Sequence, residues 1–243
     1  MIDYAFRAVG KTDAGLVRDH NEDSMLLNDS AALWFVFDGM GGHENGALAS
    51  QTAVSAFEPF DVPPDFDTAV TAIADRIHKV NAVLAQVAEQ QSISRMGTTA
   101  VGLTLRDRRF AAIWVGDSRA YIVRQGGLFQ LTVDHTHVQD LLDQGLLTAA
   151  DAKGHPMGHV LTRALGVEPE VQVDIVQDEA EPGDRFLLCS DGLSGPLSED
   201  EIRRLMTLPD PQQAVDELIA QAHANGAPDN VTAIVIEIGH SEI

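Results

Sequence analysis

The chain has 243 residues, 44% of them hydrophobic and 22% charged, which is enough apolar material to bury a sizeable core. Its 16 Lys and Arg stand against 37 Asp and Glu, a formal charge of -21 that repels a nucleic-acid backbone or an anionic membrane and excludes both as expected partners. A lone cysteine, Cys189, rules out an internal disulfide; with no apolar run as long as a membrane span and no secretory core in "MIDYAFRAVGKTD", the expected location is the cytoplasm.

In chain order, apolar segments at 4–10, 24–29 and 32–38 read as strands, and "HENGALASQTAVSAF" (43–57) reads as a helix. The stretch "FEPFDVPPDF" (57–66) is short enough to be only a connection. From 66 to 91, Phe66, Val70, Ile73, Ile77, Val80, Leu84 and Val87 recur every three or four positions with no Gly or Pro between them, so a long amphipathic helix is predicted. Strands follow at 98–105, 109–117 and 120–126, separated by a few polar residues, too few for a parallel crossover; hairpins and antiparallel sheets are therefore favoured over a doubly wound fold. The segment 134–166 is polar, His-rich and helix-like in parts. Two more strands are predicted at 171–177 and 184–191, a helix at 211–226 that ends at a glycine, and a last strand at 230–238. No repeat or charge block interrupts the chain, so one domain spanning 1–243 is expected, of the α+β class, with layered sheets covered by helices.

Four apolar runs meet an aspartate. "LWFVF" precedes Asp38, "AAIWVG" precedes Asp117, "FLLCS" precedes Asp191, and Asp229 comes just before "NVTAIVIEI". Any one of them alone reads as a turn former, because the side chain caps nearby amides. As a set they suggest more, since strands sharing a core can bring their ends to one rim. Clustered carboxylates either share protons or bind cations, and oxygen ligands without Cys or a His pair favour Mg²⁺ or Mn²⁺ over zinc. Gly39 would also let a backbone carbonyl approach an ion.

The segments "GLVRDHNED" (15–23), "FDGMGGH" (37–43), "GTTA" (97–100), "VGDSRAY" (115–121), "SDGLSG" (190–195) and "APDNVTAIV" (227–235) resemble, in order, the motifs of the metal-dependent PPM or PP2C-type protein serine/threonine phosphatases, bacterial single-domain branch. The resemblance implies a four-layer αββα sandwich, two antiparallel sheets flanked by helix pairs, with two Mn²⁺ or Mg²⁺ ions at one edge and a third, weaker ion. It implies that Asp38 bridges the two ions, that the Gly39 carbonyl completes one site, and that Asp191 and Asp229 hold the other. Glu22 would act mainly through bound water with Asp23 in support, and Asp117 with Asp191 would hold the third ion. Such ions lower the pKa of a shared water for in-line attack on phosphorus. Arg18 matches the family's phosphate-binding arginine, a local cation against the repulsive global field; without the motif it reads as a surface residue paired with Asp19 or Glu22.

Eukaryotic relatives carry a histidine directly after the DG pair, where this chain has Met40. His43 is the nearest candidate general acid, against readings in which it caps the following helix or a bound water serves instead. The segment 134–166 corresponds to the family's flap, read as a substrate-facing lid. Its His135, His137, His155 and His159 have no standard zinc spacing and read as solvated. A cysteine phosphatase is excluded because position 195, six residues after Cys189, is Gly195, so Cys189 reads as a small buried hydrophobe. "GDSR" (116–119) hints at an esterase with Ser118 as nucleophile, but such a block normally follows the first strand and needs a late Asp and His pair, and "DNVTAIV" offers Asp229 without that histidine. The expectation is a monomer that hydrolyses phosphoserine and phosphothreonine in proteins, opposing a cytoplasmic Ser/Thr kinase in signal transduction. Its rival is a catalytically silent scaffold of the same fold that binds phosphoproteins.

Overall fold

A computed structural model describes residues 5–42, 44–58, 60–93, 95–152 and 154–239. The chain opens with strands β1 (Phe6–Asp13), β2 (Asp23–Asn28) and β3 (Leu33–Met40), then runs through helices α1 (Glu44–Phe57) and α2 (Phe66–Gln91). A short β4 (Gly97–Thr98) leads into β5 (Ala100–Arg106), β6 (Arg109–Val115), β7 (Arg119–Arg124) and β8 (Gly127–Gln130). Two short helices, α3 (His137–Asp143) and α4 (Ala149–Ala152), precede β9 (Asp174–Glu179) and β10 (Arg185–Cys189). One helical turn, α5 (Asp191–Ser194), is followed by α6 (Glu199–Met206), α7 (Pro211–Ala224) and β11 (Val231–Ile238).

The strands form two sheets, in the orders β1-β11-β10-β7-β8 and β2-β3-β5-β6-β9, and every pairing is antiparallel. Tight connections produce this, as expected from the sequence. Arg106 pairs with Arg109 across Asp107 and Arg108, both at positive φ (48° and 63°), as a two-residue hairpin turn of the strands' own twist demands.

Side-chain alternation stacks four layers. On β3, Leu33, Phe35 and Phe37 point into a core shared with α1 and α2, which contribute Ala49, Ala53, Phe57, Ile73, Ile77 and Leu84. The intervening Trp34 and Val36 meet Phe186, Leu188, Ile234 and Ile236 of the other sheet. Leu187, Cys189, Ala233 and Val235 point the opposite way, under Ile202, Leu205, Val215 and Leu218 of α6 and α7. Central strands are thus buried on both faces, which is why they read as unbroken apolar runs although the sheets are antiparallel. The fold is the αββα sandwich of the expected class.

The helices start where their caps allow. Asp65 accepts the Thr68 amide at the head of α2, and Ser198 and Glu201 form a reciprocal capping box on α6. Among the described residues no helix is long and apolar enough to cross a membrane.

Candidate active site

Strand pairing builds the centre of the site. The β2–β3 register sets Asp23 opposite Asp38. Asp38 is not at a strand end, as the sequence suggested: β3 continues because Gly39 and Met40 pair with Thr98 and Gly97. The Asp38 amide donates to Thr99 Oγ1 (3.1 Å), while its carbonyl accepts from the Thr99 amide (2.8 Å) and Thr98 Oγ1 (2.9 Å). With the backbone so held, the carboxylate's direction is set by the strand. Two glycines let the start of α1 close on this point. A Cβ at Gly39 would lie 2.2 Å from the Gly46 carbonyl oxygen, and one at Gly46 would lie 2.0 Å from Glu22 Oε2.

Asp23 ties the two sheets together. Its Oδ2 accepts from Ser190 Oγ at 2.8 Å and from Thr232 Oγ1 at 2.7 Å, both on the opposite sheet's side, whereas its Oδ1 is buried with no hydrogen-bond partner. Asp191 opens α5 one residue after β10, so it begins a helical turn rather than acting as a simple turn former. Asp117 is buried in the turn between β6 and β7. Asp229 lies two residues before β11.

Electrostatics shows that these carboxylates share one field. Burial raises the Asp38 carboxyl well above the ordinary carboxylate range, and Asp23, Asp191, Asp117 and Asp229 each push it further. Asp117 is pushed up to about 8 by burial and then by Asp191 and Asp134. Burial carries Asp23 to about 7, opposed by the Thr232 and Ser190 hydroxyls and assisted by Asp191 and Asp229. Five aspartates from distant parts of the chain therefore repel one another at one rim.

Two basic side chains touch these carboxylates. Arg18 Nη2 sits 2.7 Å from Asp229 Oδ2 with its side chain half exposed, so it pairs with a carboxylate more than 200 positions away, and the Glu22 and Asp191 charges also act on it. His159 Nδ1 lies 3.6 Å from Asp191 Oδ2, and contact with Asp191 raises its pKa. His159 is solvent-exposed as expected, but its place beside the site had no signal in the sequence. His135 departs from its solvated reading: it is buried, its Nδ1 accepts the Gly116 amide at 3.0 Å and its Nε2 faces Asp174 at 3.2 Å. His43 lies outside the described residues.

The rival nucleophiles fare badly. Cys189 is fully buried and its thiol is pushed up to about 12 by burial, so it packs as a small hydrophobe. Ser118 is buried and hydrogen-bonded to Thr99 at 2.7 Å, with no histidine hydrogen-bonded to it among the described residues.

The donor set is all oxygen, mutually repulsive, and includes a buried carboxylate oxygen that no protein group satisfies; these are the properties of a site for hard divalent cations. Among the described residues, no group of three or more acidic, histidine or cysteine side chains is placed so that it could hold a metal ion.

Comparison with known proteins agrees with the fold. Residues 17–234 match the family described as protein phosphatase 2C. The chain belongs to that family. It is 37% identical over 233 residues to the serine/threonine protein phosphatase PstP of Mycobacterium tuberculosis, a match covering 96% of this chain and 45% of PstP. It thus spans less than half the length of that relative. The serine/threonine phosphatase stp of Listeria monocytogenes is 35% identical, with 93% of this chain and 94% of stp covered. Among solved structures, the catalytic domain of PstP in complex with two manganese ions superposes with a TM-score of 0.88 at 35% identity, over 97% of this chain and 99% of that one.

Proposed function

We propose that this protein phosphatase 2C chain is a Mn²⁺- or Mg²⁺-dependent phosphatase that hydrolyses phosphoserine and phosphothreonine in proteins. The observation that carries the reading is the buried Asp38 carboxylate with the charges of Asp23, Asp191, Asp117 and Asp229 acting on it, and a guanidinium paired to Asp229. Asp38 and the Gly39 carbonyl, with Asp191 and Asp229, are the residues we assign to two core ions; Asp117 with Asp191 would take a third, and Glu22 and Asp23 support the water shell. When bound, such ions supply a water of lowered pKa and neutralise charge on the phosphoryl group.

The chain's own groups do the rest. The Ser190 and Thr232 hydroxyls hold one oxygen of Asp23, while its second oxygen is buried with no hydrogen-bond partner among the described residues. Arg18 offers a planar fork to two phosphate oxygens, a local cation in a chain of net charge -21. His43, immediately before α1, is our candidate proton donor to the leaving alkoxide. We assign 134–166 as a flap on a single domain. Support comes from its roots, where Thr136 bridges Leu161 and Thr98 bridges Leu165, and from His159 reaching Asp191. The substrates we assign are phosphoproteins made by a Ser/Thr kinase, in a reducing compartment that suits the unpaired Cys189.

The experiment is hydrolysis of an aryl phosphate and of a phosphothreonine peptide with added Mn²⁺. Activity abolished by a chelator and by Asp38→Asn supports the reading. A wild-type chain inert with every divalent ion would instead support the silent scaffold.

A further inference from the structure

Asn230 lies between Asp229 and the first residue of β11, and it is only 5% exposed. Its Nδ2 donates to two backbone carbonyls, of Ala14 and His20, each at 2.9 Å, and its Oδ1 accepts the Glu22 amide at 2.8 Å. All three partners belong to one loop, 14–22, more than 200 positions away in the chain. A carboxamide rotated by half a turn would set its oxygen against two carbonyls and its NH₂ against an N–H, so only one orientation satisfies the groups present.

The loop closed by this side chain carries Arg18. Two further bonds secure its first half: the Leu16 amide to the Ala227 carbonyl at 3.0 Å and the Gly15 amide to Asp13 Oδ1 at 2.9 Å. From Val17 to Asn21, by contrast, the backbone lies outside any helix or strand, so the Asn230 bonds to His20 and Glu22 fix its far end. Arg18 itself is half exposed and makes an ion pair with Asp229. A long, exposed side chain keeps its aim only if its backbone is fixed, because each freed rotor adds entropy that binding must then remove. The neighbouring Asp229 holds the same guanidinium from the other side. One short stretch thus fixes both the Arg18 backbone and the carboxylate it touches.

Building on the phosphatase reading, we infer that Asn230 is a positioning residue for phosphate recognition, whose carboxamide clasps the 14–22 loop so that Arg18 is presented to the phosphoryl group. It touches no reacting atom and acts through Arg18.

A double-mutant cycle on the Mn²⁺-loaded full chain tests this, with inorganic phosphate binding by calorimetry and KM for an aryl phosphate as the two readouts. Asn230→Ala weakens phosphate binding and raises KM about tenfold, the scale of a lost positioning contact. In an Arg18→Ala background the same substitution adds less than about twofold to either readout, because the guanidinium it positions is gone. Asn230→Asp is the second variant: it keeps the acceptor for Glu22 but turns an oxygen on the Ala14 and His20 carbonyls, so it reproduces the loss even where the alanine chain fails to fold. Effects that multiply fully in the Arg18→Ala background, or a fall in kcat with phosphate affinity unchanged, would overturn the inference. Phosphate binding is read without turnover. A wild-type chain that binds phosphate but hydrolyses nothing therefore refutes the phosphatase reading and leaves the clasp to be judged by its own cycle.

Discussion

Removing one carboxylate should stabilise the metal-free protein. Asp117 is buried in the β6–β7 turn, and burial with the Asp191 and Asp134 charges pushes it up to about 8, against an ordinary 3.8. The unfolded chain ionises at the ordinary value and the folded chain only near pH 8, so stability present below pH 3.8 drains away as the pH rises through 8. At about 1.4 kcal/mol for each tenfold change in proton affinity, an ionised Asp117 opposes folding by about 5 kcal/mol at pH 8. The penalty is shared with the other aspartates, and an amide still costs some desolvation. Asp117→Asn should therefore gain about 1–3 kcal/mol, not the whole amount. Urea denaturation in chelator should show a higher midpoint for the variant at pH 8, with the gap closing toward pH 4. Added Mn²⁺ should shrink the gap at pH 8 as well. A variant no more stable than wild type at pH 8 in chelator, or a gain independent of pH, would refute the electrostatic argument.

Arg18→Ala should raise KM for a phosphopeptide about 10-fold or more while kcat changes less, since it removes a charge-assisted contact to phosphate; steady-state kinetics at saturating Mn²⁺ will tell. Gly46→Ala places a methyl 2.0 Å from Glu22 Oε2 and 2.9 Å from the Gly39 carbonyl carbon. It should cost about 1–3 kcal/mol in thermal unfolding and weaken Mn²⁺ binding about tenfold by calorimetry. His135 is held below its ordinary 6.5 by burial and by Arg163, against the pull of Asp174 and Asp134. Its neutral form is the one that accepts the Gly116 amide. Its contribution is therefore complete above pH 6.5 and lost as the pH falls through the lowered folded value, so His135→Asn should be less stable than wild type at pH 7.5, with the difference narrowing toward pH 5.

What the sequence revealed depended on how local the cause was. The helix over 66–91 was legible because its apolar period is intrinsic, and β3 because a strand buried on both faces leaves a run such as "LWFVF". The α6 helix was not read, since eight residues with three buried side chains carry little periodicity, although Ser198 and Glu201 mark its start. The half-exposed, four-residue β8 left no pattern either. Aspartates adjoining apolar runs pointed to a rim, but the extension of β3 beyond Asp38 depends on pairing with Gly97 and Thr98, about 60 residues away. Partners such as Arg18 with Asp229, or Asn230 with Ala14, come together only because β1 pairs with β11 and joins the ends of the chain. His135 gave no hint of burial, because its partners Gly116 and Asp174 come from separate strands' ends.

The central claim is that the aspartate rim is built to be ionised by hard cations. Titrating Mn²⁺ into the chelated, re-dialysed protein in buffers of differing ionisation enthalpy counts the protons displaced on binding. With Asp117 pushed up to about 8, Asp23 to about 7 and Asp38 raised as well, binding at pH 7 should release about one proton or more and fewer as the pH rises, and Asp38→Asn should bind far more weakly. Absence of Mn²⁺ binding, or binding that displaces no proton and is indifferent to Asp38→Asn, would contradict the account.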